Sequence, residues 1–375
     1  MTAPNLIPTL DPNPLPAPYW VFEVLLLVTF FLHILAMNFM LGGAVMALVA
    51  RWGPAKRKNG NRMFSDVAKK LPVLLPAVIT LGVAPLLFVQ VLYGQFFYTS
   101  SIVMAWPWFF VLVLLAAAYY GFYFVSYRRE QNPGKAGLVL LLSVLFIFVI
   151  AFMFSNNLTL SQNPASWGAK YFADPAGWNL NLSEPTLLPR YLHFMIAAVA
   201  VGGLLLVLMA WARWKNDPGY ARDVLHLGGK AFMYATMAEF VVGIWFLLAL
   251  PRRMSYLFLG GSPLATLLLA IGIAGAIAAI VLMARALRTE NVRLAGYSGA
   301  GIMAVVILSM VSMREILRLA YLEPYFHPEQ FAVKTQWSVF PLFLVIFIAG
   351  VVLWFVMLKR YGLFARRNLP DQSGL

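Results

Sequence analysis

The chain has 375 residues, of which 62% are hydrophobic and 11% are charged, and its mean hydropathy is +0.79. Soluble domains are about half apolar and a quarter charged, so this composition excludes a soluble globular protein and predicts an integral membrane protein. Cysteine is absent, which excludes disulfides, thiolate iron–sulfur ligation and covalently attached c-type haem in this chain.

Nine apolar stretches are long enough to cross a bilayer of roughly 30 Å as α-helices. They are expected at about 20–50, 71–93, 103–127, 136–156, 187–212, 225–250, 263–287, 298–318 and 337–358. They lack the polar alternation of a membrane β-barrel. The predicted fold is therefore an all-α integral membrane protein, a nine-helix transmembrane bundle that forms a single membrane domain over 1–375. Met1–Pro18 contains no basic residue, so we expect no cleavable signal peptide there.

The net charge of +14 is explained by basic residues that are concentrated on one side of the membrane. Of the 28 basic residues, 21 lie in the tail, in the loops after predicted helices 1, 3, 5 and 7, or at the helix ends that adjoin those loops. Cytoplasmic loops of membrane proteins carry such an excess of Lys and Arg. We therefore predict a multi-pass protein of the bacterial cytoplasmic (inner) membrane, with its N-terminus outside and its C-terminus in the cytoplasm. No nucleic acid partner is expected.

One histidine–glycine pattern occurs twice. His33 is followed nine and ten residues later by Gly42-Gly43, and His193 is followed at the same spacing by Gly202-Gly203. The offset of 160 residues predicts an internal parallel repeat that relates helices 1–4 to helices 5–8, with helix 9 as an addition.

The two repeated histidines are candidates for metal ligands. Ionisable residues inside a membrane are costly and rare, so two of them in matching positions indicate a function. Imidazole facing the interior of a helix bundle is a common ligand of b-type haem. We therefore predict that His33 and His193 bind haem iron in the outer half of the membrane; in the alternative interpretation, each only hydrogen-bonds across helices.

Three charged residues are further candidates. Glu239 is the one carboxylate deep in an otherwise apolar helix, which suggests either a proton relay or a hydrogen-bonded structural residue. Arg190 and Arg314 lie at outer helix ends, level with the histidines. They are candidates for pairing with haem propionates, the alternative being contact with lipid headgroups.

The order of these signals resembles subunit I of the cytochrome bd quinol oxidases. That family has nine transmembrane helices and a histidine in helix 1 and early in helix 5, where this chain has His33 and His193. Leu81–Pro85 is similar to its glycine-rich second helix, and Gln162-Asn163-Pro164 to the Gln-Asn-Pro after its fourth. The resemblance covers about 20–215 well and the remainder weakly.

The resemblance implies specific cofactors. It implies one or two b-type haems, with His193 ligating a low-spin haem b and His33 a haem of the oxygen-reducing pair. It also implies quinol as the substrate, oxidised on the outer side.

The chain departs from the family where oxygen chemistry is concerned. The third helix of the family carries glutamates, but Ile102–Tyr127 contains no acidic or basic residue. The family's methionine ligand early in helix 7 has no counterpart in Pro263–Leu269, and the loop before that helix is short.

Three hypotheses therefore stay open. In the first, the chain is a haem b-containing electron-transfer subunit that oxidises quinol and passes electrons to a c-type cytochrome partner, or to a second membrane subunit, on the outer face. In the second, it is a cytochrome bd-like terminal oxygen reductase subunit with unfamiliar ligands. In the third, it is a haem-free membrane scaffold or transporter subunit.

Overall fold

The computed structural model describes residues 7–9, 13–53 and 59–361, with side chains up to 357. In these residues the structure consists of helices and connecting loops, with one isolated β-bridge between Leu15 and Val333. The α-helices are α1 (Tyr19–Trp52), α2 (Gly60–Ala68), α3 (Leu71–Val103), α4 (Ala105–Arg128), α5 (Pro133–Ser161), α6 (Trp167–Ala173), α7 (Leu187–Arg213), α8 (Pro218–Ala249), α9 (Arg252–Tyr256), α10 (Pro263–Arg288), α11 (Val292–Leu322) and α12 (Val339–Tyr361). Within the described ranges, nine of them are long and apolar enough to cross a membrane, which confirms the predicted all-α architecture.

Some helices extend beyond their predicted apolar spans. Helix α3 continues ten residues past the predicted end at 93, although it bends at Tyr93, where φ is −130° and ψ is 27°. The extension is stabilised by packing, since Phe96 contacts Trp167 with 6.2 Å between ring centroids. Helix α8 begins at Pro218, because the Asp217 side chain accepts a hydrogen bond from a main-chain N–H of its first turn. Hydropathy predicts the membrane span and not the whole helix.

The bundle is centred on the crossing of α1 and α7. A Cβ atom added at Gly42 would lie 1.7 Å from the main-chain oxygen of Ala198, and one added at Gly202 would lie 2.2 Å from the carbonyl carbon of Gly42. The two backbones therefore touch at positions where no side chain fits. Because Gly42 and Gly202 are equivalent positions of the repeat, this contact lies on an approximate two-fold axis between the halves.

The packing order repeats in the two halves. Helix α1 packs along α3 as α7 packs along α8, and α4 pairs with α5 as α10 pairs with α11. The parallel four-helix repeat is thus visible in the helix contacts, and α12 is additional to it. We call the end of the bundle at which α1 begins the Tyr19 end, and the opposite end the Trp52 end.

A charged cluster closes the Trp52 end. Asp66 on α2 accepts hydrogen bonds from Lys69 and Tyr220, both at 2.7 Å, and also pairs with Arg213. Burial alone would raise the pKa of Asp66, but these donors outweigh it and lower the pKa to about 2. The cluster therefore attaches α2, and with it the connection between α1 and α3, to α7 and α8.

Candidate functional site

His33 on α1 is held against the backbone of α3. Its Nδ1 lies 3.1 Å from the main-chain oxygen of Val78. Gly82, one turn further along α3, provides the necessary space, since a Cβ atom there would lie 2.7 Å from the imidazole Cε1. With Nδ1–H donating to the carbonyl, the lone pair is on Nε2, which has no hydrogen-bond partner among the described residues. One edge of the ring is thus fixed, and the other ring nitrogen is free.

His193 on α7 is held in the same way against α8. Its Nδ1 pairs with Oε2 of Glu239, and the main-chain N–H of Ala197 also contacts that carboxylate. Gly243, one turn further along α8, lies beside the ring, where an added Cβ atom would be 3.8 Å from Cε1. The sequence singled out His193 and Glu239 separately and did not predict that they meet.

The two histidine sites are repeat-related and differ in one group. Val78 and Gly82 are four residues apart on α3, as Glu239 and Gly243 are on α8. Each half thus supplies an acceptor for Nδ1 and, one turn on, a glycine beside the imidazole. The acceptor is a neutral main-chain carbonyl in the first half and a carboxylate side chain in the second.

A buried arginine accompanies each histidine on the side of the Tyr19 end. Arg190 precedes His193 by three residues, so both project from one face of α7. The guanidinium of Arg314 lies 4.2 Å from the ring centroid of Phe30, whose ring is in turn 6.3 Å from that of His33. The sequence predicted that these arginines are level with the histidines; the structure has Arg190 one turn before His193 on α7 and Arg314 against Phe30, one turn before His33 on α1.

Both arginines have unused donors. Nη1 of Arg190 donates to Oε1 of Gln162 at 3.0 Å, but its Nε and Nη2 are buried without a partner, and so is Nε of Arg314. Gln162 belongs to the Gln-Asn-Pro motif, so the structure brings that motif to the arginine. Buried charged groups are normally paired, and unpaired ones are costly. These guanidinium groups therefore suit an anionic ligand.

A third buried arginine lies in a network that the sequence analysis did not single out. Glu315 accepts hydrogen bonds from Arg318 at 3.0 Å and from the Tyr93 hydroxyl at 2.9 Å, and lies 3.9 Å from Arg314. The hydroxyls of Tyr93 and Tyr19 are 2.8 Å apart. The only sequence signal for this network was the spacing of Glu315 and Arg318, three residues apart on one helix. Glu23 and Glu184 also lie close enough to interact with Arg318 and Arg190, so this region contains three arginines and three carboxylates.

An open cavity of about 270 Å³ lies beside Arg190. Its lining includes Gln162, Glu184, Tyr321 and Tyr325. The Tyr321 hydroxyl is also buried without a hydrogen-bond partner. Space, unpaired donors and positive charge thus coincide at the Tyr19 end of the second half.

These features fit the haem that the sequence resemblance implies. A porphyrin already supplies four nitrogens to iron, so one imidazole from each half would suffice as a protein ligand. No three His, Cys, Asp or Glu side chains converge within the described residues. The free Nε2 atoms would suit haem iron and the unpaired arginine N–H groups would suit propionates, whereas the space beside Gly82 is taken up by the imidazole of His33 itself.

The remaining histidines lie apart from this region. His226 is at the Trp52 end, with its Nε2 4.0 Å from Glu290, and His327 is exposed in the segment after α11. Neither contacts the repeated sites.

Comparison with known proteins establishes the fold. No protein-family model matches the sequence, and no curated protein sequence matches it. Among solved structures, the chain is similar to the bd oxidase from Geobacillus thermodenitrificans, with 16% identity, coverage of 92% of this chain and 99% of that chain, and a TM-score of 0.72. The chain therefore has a bd oxidase-like fold, as the order of helices, histidines and short motifs predicted.

Proposed function

We propose that the chain is a haem b-containing membrane electron-transfer subunit that oxidises quinol and passes the electrons to a c-type cytochrome partner on the outer face. The observation that carries this proposal is the pair of repeat-related histidine sites, in which Nδ1 is fixed and Nε2 is free. Haem bound there supplies reversible one-electron transfer.

The protein's own groups would hold and orient the cofactor. His193 and His33 would bind the haem iron, and the contacts of their Nδ1 atoms would set the tautomer and the orientation of each ring. Arg190 and Arg314 neutralise propionates through charge-assisted hydrogen bonds. The glycine crossing of α1 and α7 keeps the two sites at a fixed separation, which electron transfer between them requires.

The proposed partner follows from what the chain contains. Without cysteine, it has no covalent attachment site for c-type haem, so a cytochrome c would be a separate chain. Helix α4 carries no carboxylate that could deliver protons to a buried oxygen site. Export of electrons therefore suits this chain better than oxygen reduction.

The second candidate is a cytochrome bd-like terminal oxygen reductase subunit. The observation that favours it is the likeness of the whole chain to a bd oxidase. Consumption of oxygen by the purified chain with quinol alone would select this function, whereas reduction of added cytochrome c with negligible oxygen uptake would select electron transfer.

The haem sites are tested by a reduced-minus-oxidised absorption spectrum of the purified protein. We expect a b-type spectrum that His33→Ala and His193→Ala each diminish and that the double variant loses. His327→Ala, which removes an exposed histidine, is the matched control and should retain the full signal. A wild-type protein without haem absorption, or a signal that survives in the double variant, would refute the proposal and favour a haem-free scaffold or transporter.

The proposed orientation has its own test. Because the chain has no cysteine, a single introduced thiol can be labelled selectively. Leu182→Cys lies at the Tyr19 end and Asn216→Cys at the Trp52 end, and both positions are exposed. In intact cells a membrane-impermeant maleimide should label only the first, and labelling of only the second would reverse the topology.

A further inference from the structure

The two histidine sites differ in the charge of the group that accepts from Nδ1. We propose that Glu239 is a positioning residue for His193 and that its negative charge makes the His193 site the more reducing of the two. This inference rests on the proposed function, because it concerns haem bound through these histidines.

The geometry separates Glu239 from every other carboxylate of the chain's described part. It lies within α8 and contacts Nδ1 of His193, and its other contact among the described residues is with the main-chain N–H of Ala197. A main-chain N–H does not carry a proton onward, so a proton relay would need a further titratable side chain. With His193 as its side-chain partner, Glu239 is placed to orient the imidazole.

A purely structural tie between α7 and α8 does not explain the pair. The two helices already meet through glycines, since a Cβ atom at Gly203 would lie 2.6 Å from the main-chain oxygen of Gly228, and one at Gly228 would lie 2.5 Å from that of Gly203. Backbones in such close contact need no additional polar link between the helices. A carboxylate in an apolar helix is costly, so its presence beside the imidazole indicates a use at that ring.

The chemical effect of the carboxylate has a definite direction. An imidazole whose N–H donates to a carboxylate is a more basic metal ligand than one whose N–H donates to a neutral carbonyl. A nearby negative charge in a medium of low dielectric constant also stabilises the more positive, ferric state. Both effects lower the reduction potential at His193 relative to His33, where the main-chain oxygen of Val78 is the acceptor.

The asymmetry gives electron transfer a direction. The halves supply the same scaffold of α1 with α3 and of α7 with α8, so the acceptor is the principal difference in the immediate partners of the two rings. Electrons move from the more reducing site to the more oxidising one. Within the chain they would therefore pass from the His193 site towards the His33 site.

The test is a redox titration of the haem spectrum in Glu239→Gln. Glutamine keeps an acceptor oxygen for Nδ1–H and removes the charge. Changes in the partners of metal-ligating histidines typically alter metal affinity at least tenfold. We expect a roughly tenfold smaller preference for ferric haem at His193, which raises the reduction potential of that haem by about 59 mV for one electron. The reduction potential of the haem at His33 should not change.

Two comparisons keep the result specific. Glu239→Asp retains the charge and should stay near the wild-type potential, and Glu23→Gln removes another carboxylate from a spanning helix and should move neither haem. If the Gln variant does not assemble, Glu239→Asp and Glu239→Asn provide the same anionic and neutral pair with a side chain one methylene shorter.

The possible outcomes are distinct. Three results would overturn the role of Glu239 while leaving haem binding intact. These are an unchanged reduction potential in Glu239→Gln, equal shifts of the potential in Glu239→Asp and Glu239→Gln, and equal shifts of the potentials of both haems. A wild-type protein without haem refutes the proposed function itself. A shift confined to the His193 haem and to the neutral variant supports the inference.

Discussion

Replacement of Gly82 by alanine should displace the imidazole of His33. An alanine Cβ would lie 2.7 Å from Cε1 and 2.8 Å from Nδ1, whereas ordinary contacts begin at 3.4 Å, so the ring must recede by about 0.7 Å. The Nδ1–oxygen distance to Val78, now 3.1 Å, would then exceed hydrogen-bonding range. Leaving a buried donor unsatisfied costs about 1–3 kcal/mol, and alanine in a helix returns about 0.5–1 kcal/mol. The net destabilisation should be about 1 kcal/mol, within a range of about 0–2.5 kcal/mol.

Gly243→Ala is the matched control in the other half. Its Cβ atom would lie 3.8 Å from the His193 ring, which is an ordinary contact, so stability should be unchanged or slightly increased. The assay is the free energy of unfolding in detergent, together with the haem absorbance per chain. Gly82→Ala should lower both quantities and Gly243→Ala neither. Equal behaviour of the two variants would refute the reasoning that α3 holds His33 through that hydrogen bond.

Three further predictions concern the rest of the bundle. Gly42→Ala should lower the free energy of unfolding by about 2 kcal/mol, because the backbone of α7 cannot move away from the new Cβ atom. The control variant Gly301→Ala has open space around the added atom and should leave that free energy unchanged. Equal unfolding free energies of the two variants would contradict the close contact of α1 with α7. Asp66, with its pKa lowered to about 2 from an unfolded value near 3.9, contributes stability that is present above about pH 4 and lost as the pH falls towards 2. Asp66→Asn should lack this step in thermal unfolding between pH 5 and pH 2, and an unchanged profile would count against the cluster. Arg190→Gln should stabilise the haem-free chain, because it removes a buried cation that is incompletely paired. The same variant should retain haem about tenfold less well or worse, as measured by absorbance. A loss of stability without a loss of haem would contradict a propionate-binding role for Arg190.

Helix content and membrane insertion could be predicted because they depend on local properties of the chain. A span is encoded in a run of apolar residues, and the repeat is encoded in the equal spacing of His33 with Gly42 and of His193 with Gly202. The boundaries were less predictable, since the continuation of α3 beyond Tyr93 depends on packing between Phe96 and a residue far along the chain.

The sequence by itself determined a nine-helix membrane bundle, its repeated halves and the two histidines, because hydropathy and spacing are carried by neighbouring residues. Only the tertiary structure decided what each histidine touches. Contacts between helices depend on their relative rotation and depth, which no local pattern specifies. His193 and Glu239 are 46 residues apart, and Tyr93 and Glu315 are 222 residues apart. The first contact follows from the packing of α7 against α8 and the second from the packing of α3 near α11. Packing of α1 against α3 and of α7 against α8 gives the two otherwise equivalent imidazoles different acceptors.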